Sequence, residues 1–170
     1  HSHQAEQNLD AAIEFFTFIA ERYGNTPNLI YEIYNEPLND ISWELIVKPY
    51  SETIINAIRK IDPNNLIIVG TPSWSQDVDL AADNPILDQH NLLYALHFYA
   101  ASHKNELREK AEYAISKGLP LIISEWGTVS SDGDGFMDED STLEWLRFIR
   151  KNNLTHLNWA VSDKNEAASI

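Results

Sequence analysis

The sequence predicts an α/β fold, a parallel sheet wound in right-handed βαβ units, and three observations predict it. Amphipathic helical segments alternate with short strand-like runs from end to end. Two of the runs, Leu66-Ile67-Ile68-Val69 and Leu121-Ile122-Ile123, are apolar without alternation, as strands covered on both faces are. Polar residues gather where the strands end, at Asn35-Glu36, His97 to Tyr99, Glu125-Trp126 and Trp159 to Lys164. A doubly wound open sheet and a barrel both satisfy the first two observations. No strand is followed by the glycine signatures that cradle phosphates in open sheets, and the C-terminal rim of the strands is where a (β/α)8 TIM barrel places its chemistry. Five strands are legible where a full barrel has eight and about 250 residues. The expectation is therefore an incomplete (β/α)8 barrel.

In chain order, Asn8 to Tyr23 reads as a helix, with Leu9, Ile13, Phe16, Ile19, Ala20 and Tyr23 at helical spacing. Leu29 to Tyr34 is β-branched and aromatic and is stopped by Pro37. A helix opens at Pro49, carries Tyr50, Ile54, Ala57, Ile58 and Ile61 on one face, and ends before Asp62-Pro63. Leu66 to Gly70 is the next strand, and Ser75 to Asn84 a loop with a short helix. Leu93 to Tyr99 is a strand, Asn105 to Lys117 a helix closed by Gly118, and Leu121 to Ser124 a strand. The polar stretch from Ser130 to Asp140 leads into a helix from Ser141 to Lys151, and Leu154 to Val161 is the last strand.

Composition narrows the function. The 170 residues carry 12 Lys+Arg against 26 Asp+Glu, a formal net charge of −14. Nucleic acid and anionic membrane surfaces require a basic face, so neither is an expected partner. Hydrophobic residues at 44% exclude a disordered chain, and the length suits one domain with its own core. No apolar run approaches the ~18 residues of a membrane span. Without cysteine there is no disulfide, thiolate metal site or cysteine nucleophile. The start at His1-Ser2-His3, with no Met and no signal-peptide pattern, reads as a processed or truncated terminus.

Glu36 and Glu125 are the pair with the clearest chemistry. Each follows a hydrophobic strand and precedes a breaker, Pro37 or Gly127. At roughly 30 residues per βα unit they stand three strands apart, across a barrel mouth. Two facing carboxyls suit glycoside hydrolysis, one as a protonated acid and one as an ionised nucleophile or base. Either acid alone reads as a solvated strand end, common among 26 acids; the histidine and aromatic company on the same rim favours a shared site.

Ile30-Tyr31-Glu32-Ile33-Tyr34-Asn35-Glu36-Pro37 and Ile122-Ile123-Ser124-Glu125-Trp126-Gly127 resemble the two signature strands of the glycoside hydrolase family 5 cellulases, retaining endo-β-1,4-glucanases on a (β/α)8 barrel. The resemblance continues through Lys48-Pro49-Tyr50, Ile61 to Asn65, Gly70-Thr71, Trp74-Ser75-Gln76-Asp77, His97-Phe98-Tyr99-Ala100 and Asn158-Trp159. It implies Glu36 as general acid/base and Glu125 as nucleophile. It also implies that Asn35 bonds the sugar 2-hydroxyl, that Tyr99 holds Glu125, and that His97 and His1 line the same subsite. Trp159 would form a stacking floor with a cis bond after it, Lys164 would bond a neighbouring glucose, and Trp74 would stack on the leaving side. The five strands would be barrel strands 4 to 8, and residues 1–170 a partial catalytic domain truncated at both ends. No cofactor is implied. The implied partners are β-glucan or cellulose oligosaccharides and the missing barrel half, and the parent would be secreted.

Duller readings stand beside these. His97 can be a satisfied core histidine, the tryptophans simply packed, Lys164 a solvated charge. Neighbouring Asn35 and Glu36 should point to opposite faces of a regular strand, so a bulge is needed for both to meet one ligand. Asp132-Gly133-Asp134-Gly135 fails calcium-loop spacing, since Phe136 takes the fifth ligand position. No H-E-x-x-H arrangement supports zinc, and no G-x-S-x-G elbow supports an α/β-hydrolase. The rival functions are a related hydrolase such as a mannanase and a non-catalytic β-glucan-binding fragment.

Overall fold

Five parallel strands make one sheet in the computed structural model, which describes residues 3–169. They are β1 (Ile30–Glu32), β2 (Leu66–Val69), β3 (Leu92–Tyr99), β4 (Leu121–Gly127) and β5 (His156–Asn158), ordered β1-β2-β3-β4-β5. Helix α1 (Leu9–Tyr23) precedes β1. The crossovers carry α2 (Lys48–Arg59), then the short turn α3 (Pro72–Ser75) with α4 (Val78–Asp83), then α5 (Asn105–Ser116) and α6 (Glu139–Asn152). This is half of a (β/α)8 barrel, with β1 and β5 at its edges.

The alternation of side chains along each strand separates two layers. Ile67, Val69, Tyr94, Leu96, Phe98, Ile123 and Trp126 point outward into the main core under the helices, with Ile54, Ile58, Ala111 and Trp145. Ile68, Ala95 and Ile122 form a smaller cluster on the opposite, inner face. The largest fully buried side chain is Trp145. Its ring stacks on Phe98 with centroids 4.0 Å apart, and its indole N–H donates to the His103 carbonyl at 2.8 Å.

β4 is longer than its apolar run because it contains a bulge. Ala95 pairs with Ile122 and His97 with Glu125, so two steps along β3 match three along β4. β5 reports the same extra residue, since Ile123 pairs with His156 and Trp126 with Asn158. A residue added to one strand puts two neighbours on one face. Ser124 reaches His97 and Glu125 reaches Tyr99, both of them inward on β3, while Trp126 is outward again against Phe98.

Asn35 and Glu36 differ from the bulge expected there. β1 stops at Glu32, and the last ladder contact is the Ile33 N–H on the Ile68 carbonyl. Beyond it the chain swings over Gly70, where a Cβ would lie 2.0 Å from the Tyr34 carbonyl oxygen. Only glycine admits that approach, and it frees the Asn35-Glu36 segment from strand alternation. The edge strand β5 is shorter than the Leu154–Val161 run, having one partner strand instead of two.

Candidate active site

The bulge and the swing over Gly70 bring four side chains to one place at the C-terminal rim. His97, only 2% exposed, lies at its centre. Its Nδ1 is 3.0 Å from Glu36 Oε1 and 4.0 Å from Glu125 Oε2. Its Nε2 is 2.9 Å from Ser124 Oγ. The Tyr99 hydroxyl donates to Glu125 Oε1 at 2.9 Å. Gly127 makes this possible, since a Cβ there would lie 2.6 Å from the Tyr99 ring.

A cleft of about 430 Å³ opens over Glu36, His97 and Tyr99, lined also by His3, Trp74 and His103. That volume is within the range of small-molecule sites. Trp74 sits in the α3 turn, where Ser73, Trp74 and Ser75 all have left-handed backbone, at φ 57°, 57° and 58°. Each non-glycine residue there costs roughly 1–2 kcal/mol, so the turn needs bracing. The Ser73 hydroxyl donates to Asp77 at 2.6 Å, and Lys110 pairs with the same carboxylate at 2.5 Å. The Trp74 N–H donates to the Pro37 carbonyl and the Ser75 hydroxyl to the Asn35 carbonyl, at 2.8 and 2.7 Å. The braced turn thus fixes Trp74 and the Glu36 segment together.

The electrostatics centre on the imidazole. Burial alone would push His97 down; the Glu32 carboxylate 3.8 Å away, the hydrogen bond to Glu36 and the nearby Glu125 charge outweigh it and raise the pKa to about 9. Glu125 is pushed up by burial and by Glu36, against the His97 charge and the Tyr99 hydrogen bond. Tyr99 is pushed well above its ordinary value by burial first and then by Glu125. Burial lowers His103, whose Nδ1 accepts the Tyr99 N–H at 2.8 Å. A neutral His103 therefore carries its proton on Nε2.

A raised histidine pKa means that the folded chain holds the proton more tightly than the unfolded one. The stability it contributes is complete below about pH 6.5 and lost as pH rises through about 9. Urea unfolding across that window is expected to lose up to about 3 kcal/mol, and a flat profile would remove the case for a charged His97.

The sequence-predicted residues divide. Glu36, His97, Tyr99 and Glu125 converge, and Trp74 shares the cleft. Asn35 lines a neighbouring hollow with Glu32 and Phe15 instead. Trp159 is 47% exposed just past β5, with a cis bond to Ala160. Lys164 is exposed and paired with Glu166. His1 lies outside the described residues. The sequence reading missed His3, whose Nδ1 donates to the Glu36 carbonyl at 2.8 Å, and His103, Glu32 and Ser124. Glu32 and Ser124 had a signal, each being a polar residue inside an apolar strand.

Among the described residues, the one trio that could hold a metal is Glu36, His97 and Glu125, with donor atoms within 4.8 Å of one another. Both ring nitrogens of His97 are already engaged, so the trio is better suited to exchanging protons than to ligating a cation. The acids of the 132–138 loop serve it locally: Asp132 accepts the Asp134 N–H, and Asp138 caps α6 through the Ser141 N–H. No helix among the described residues is long and apolar enough to cross a membrane.

Fold and site together define a barrel protein with a carboxylate pair at its C-terminal rim. The chain belongs to the cellulase family, glycosyl hydrolase family 5, whose sequence model matches residues 1–165. It is 55% identical over 169 residues to Endoglucanase Z of Dickeya dadantii (strain 3937), covering 99% of this chain and 39% of that one. It is 49% identical over 160 residues to an endoglucanase of Clostridium saccharobutylicum, covering 94% and 36%. A solved structure from Cytophaga hutchinsonii superposes with a TM-score of 0.96 at 46% identity, covering 99% of this chain and 55% of that one. The catalytic domain of Thermobifida fusca endoglucanase Cel5A, in complex with cellotetraose, gives 0.89 at 33% identity, covering 96% and 55%. The chain spans well under half the length of these curated relatives and about half of the solved chains.

Proposed function

We propose that this chain carries the catalytic carboxylate pair of a retaining endo-β-1,4-glucanase. The observation that supports it most is the convergence of Glu36 and Glu125 on His97, with donor atoms within 4.8 Å. Retaining glycosidases hold their carboxyls ~5–5.5 Å apart, and inverting ones ~6.5–9.5 Å. Family membership supports β-glucan as the substrate, and the cellotetraose bound to the Thermobifida relative supports cello-oligosaccharides as its form.

In the first step Glu36 gives a proton to the glycosidic oxygen while Glu125 attacks the anomeric carbon. The leaving alcohol departs and a glycosyl–Glu125 ester remains. Glu36, now ionised, takes a proton from water, which attacks the anomeric carbon and releases Glu125. Trp74 is proposed to stack on the leaving-side sugar. Asn35, Trp159, Lys164 and His1 are proposed to bind sugar once the other strands of a barrel close over them. Without those strands the cleft has only one wall, so the isolated chain is expected to show little or no turnover of carboxymethylcellulose. Normal turnover would overturn that expectation. A polymeric substrate supports secretion of the whole protein.

The reading is tested by proton NMR of the sugar first released by the chain completed to a full barrel. A β-anomer is expected, and an α-anomer would refute the double displacement. Tyr99→Phe gives a second test. It removes the hydrogen bond that opposes the rise of Glu125, so the acid limb of kcat/KM should move to higher pH. Activity at the acid end should fall roughly 10- to 100-fold, the worth of one hydrogen bond to a charged group.

A further inference from the structure

We propose that Glu32 is a positioning residue: through the Ser124 hydroxyl it holds His97 as a doubly protonated imidazolium aimed at the Glu36 carboxyl. The case starts from counting protons. A serine hydroxyl has one to give. Ser124 Oγ lies 2.7 Å from Glu32 Oε1, and a carboxylate only accepts, so the proton points to Glu32. The Ser124 oxygen is then left to accept, at 2.9 Å, from His97 Nε2. On the other side of the ring, Nδ1 faces Glu36 Oε1 at 3.0 Å. With Glu36 ionised, both ring nitrogens must carry hydrogen. The direct Nε2–Glu32 distance of 3.8 Å is too long for a hydrogen bond, so the serine is the link.

The fold builds this link deliberately. Glu32 on β1 reaches Ser124 on β4 across the inner face, past the apolar Ile68, Ala95 and Ile122. The bulge is what turns Ser124 inward without displacing Glu125. The ionisable groups facing His97 are Glu32 and Glu36 from β1 and its extension, and Glu125 from β4; Tyr99, on its own strand, is bound to Glu125. With the ring 2% exposed, water cannot substitute for any of them. When Glu36 has given its proton to a leaving oxygen, the imidazolium faces the new carboxylate and steadies it. This consequence rests on the reading of Glu36 as acid/base.

The test needs no turnover. The chain labelled with ¹⁵N-histidine is titrated by heteronuclear NMR, with Glu32→Gln, Ser124→Ala and Ser124→Thr variants. At pH 7 both His97 nitrogens are expected to be protonated. Glu32→Gln and Ser124→Ala should each lower the titration midpoint by at least one pH unit, and Ser124→Thr, which keeps the hydroxyl, should restore it. A neutral ring at pH 7, or midpoints unmoved in both variants, overturns the proposal. In the completed barrel, Glu32→Gln should lower kcat roughly 10-fold with KM unchanged. If the midpoints move as expected while Glu36→Gln leaves hydrolysis intact, the positioning role stands and the acid/base reading fails.

Discussion

Glu125→Gln is expected to lower the kcat for β-1,4-glucan hydrolysis in the completed barrel by roughly 10⁴-fold or more, the scale seen when a covalent nucleophile is removed. The amide is nearly isosteric and can still accept the Tyr99 hydrogen bond, so the fold and the cleft should survive. What disappears is the ability to form the ester. Glu36→Gln should cost less on cellulose, roughly 10²- to 10⁴-fold, the range for general acid–base assistance. The two variants separate further on an aryl β-cellobioside with a nitrophenol leaving group. Such a leaving group departs without a proton, so the first step of Glu36→Gln should be largely spared and a burst of nitrophenol should precede slow deglycosylation. Glu125→Gln should show no burst. Equal losses on both substrates would mean that the two carboxyls do not have distinct roles.

Trp145→Ala is expected to destabilise the chain by about 3–5 kcal/mol, the cost of emptying a large buried aromatic site. Trp145 is fully buried, stacks on Phe98 and meets Phe148 edge-on. The alanine would also leave the His103 carbonyl without the indole donor it has at 2.8 Å. For a chain of this size the melting temperature should fall by on the order of 10 °C. Thermal unfolding by circular dichroism measures this, and a fall of one or two degrees would show that the outer layer closes over the gap. Because His103 is tied both to Trp145 and to the Tyr99 N–H, loosening the outer layer should also broaden Tyr99 resonances in the cleft.

The fold was legible because parallel strands covered on both faces write themselves as apolar runs; Leu66–Val69 and Leu121–Ile123 are strands in the structure. The edges were less legible. Residues near β1 and β5 are apolar beyond the three-residue pairing that either strand keeps, since a hydrophobic pattern records burial and not the end of a ladder. Of the site, the two glutamates, His97 and Tyr99 could be found because each ends or interrupts an apolar run. Their distances could not, because they depend on the β4 bulge and on the approach of Tyr34 to Gly70, and neither has a sequence signature beyond one ordinary glycine. Glu32 and Ser124 were passed over because a lone polar residue in a strand is commonly a matter of local solvation. Only the spatial order of the strands shows that these two answer each other across the sheet.

The additional residue in β4 has one more implication. Deleting Ser124 would give a tidier ladder, with every step along β3 matched by one along β4. Alternation would then run Ile122 in, Ile123 out, Glu125 in and Trp126 out, so the carboxylate would keep its place beside Tyr99. What would vanish is the hydroxyl between Glu32 and the His97 ring, leaving the two 3.8 Å apart with nothing to join them. The extra residue thus serves the imidazole and not the nucleophile, and a barrel without it would keep both carboxyls and lose the link that holds the proton between them.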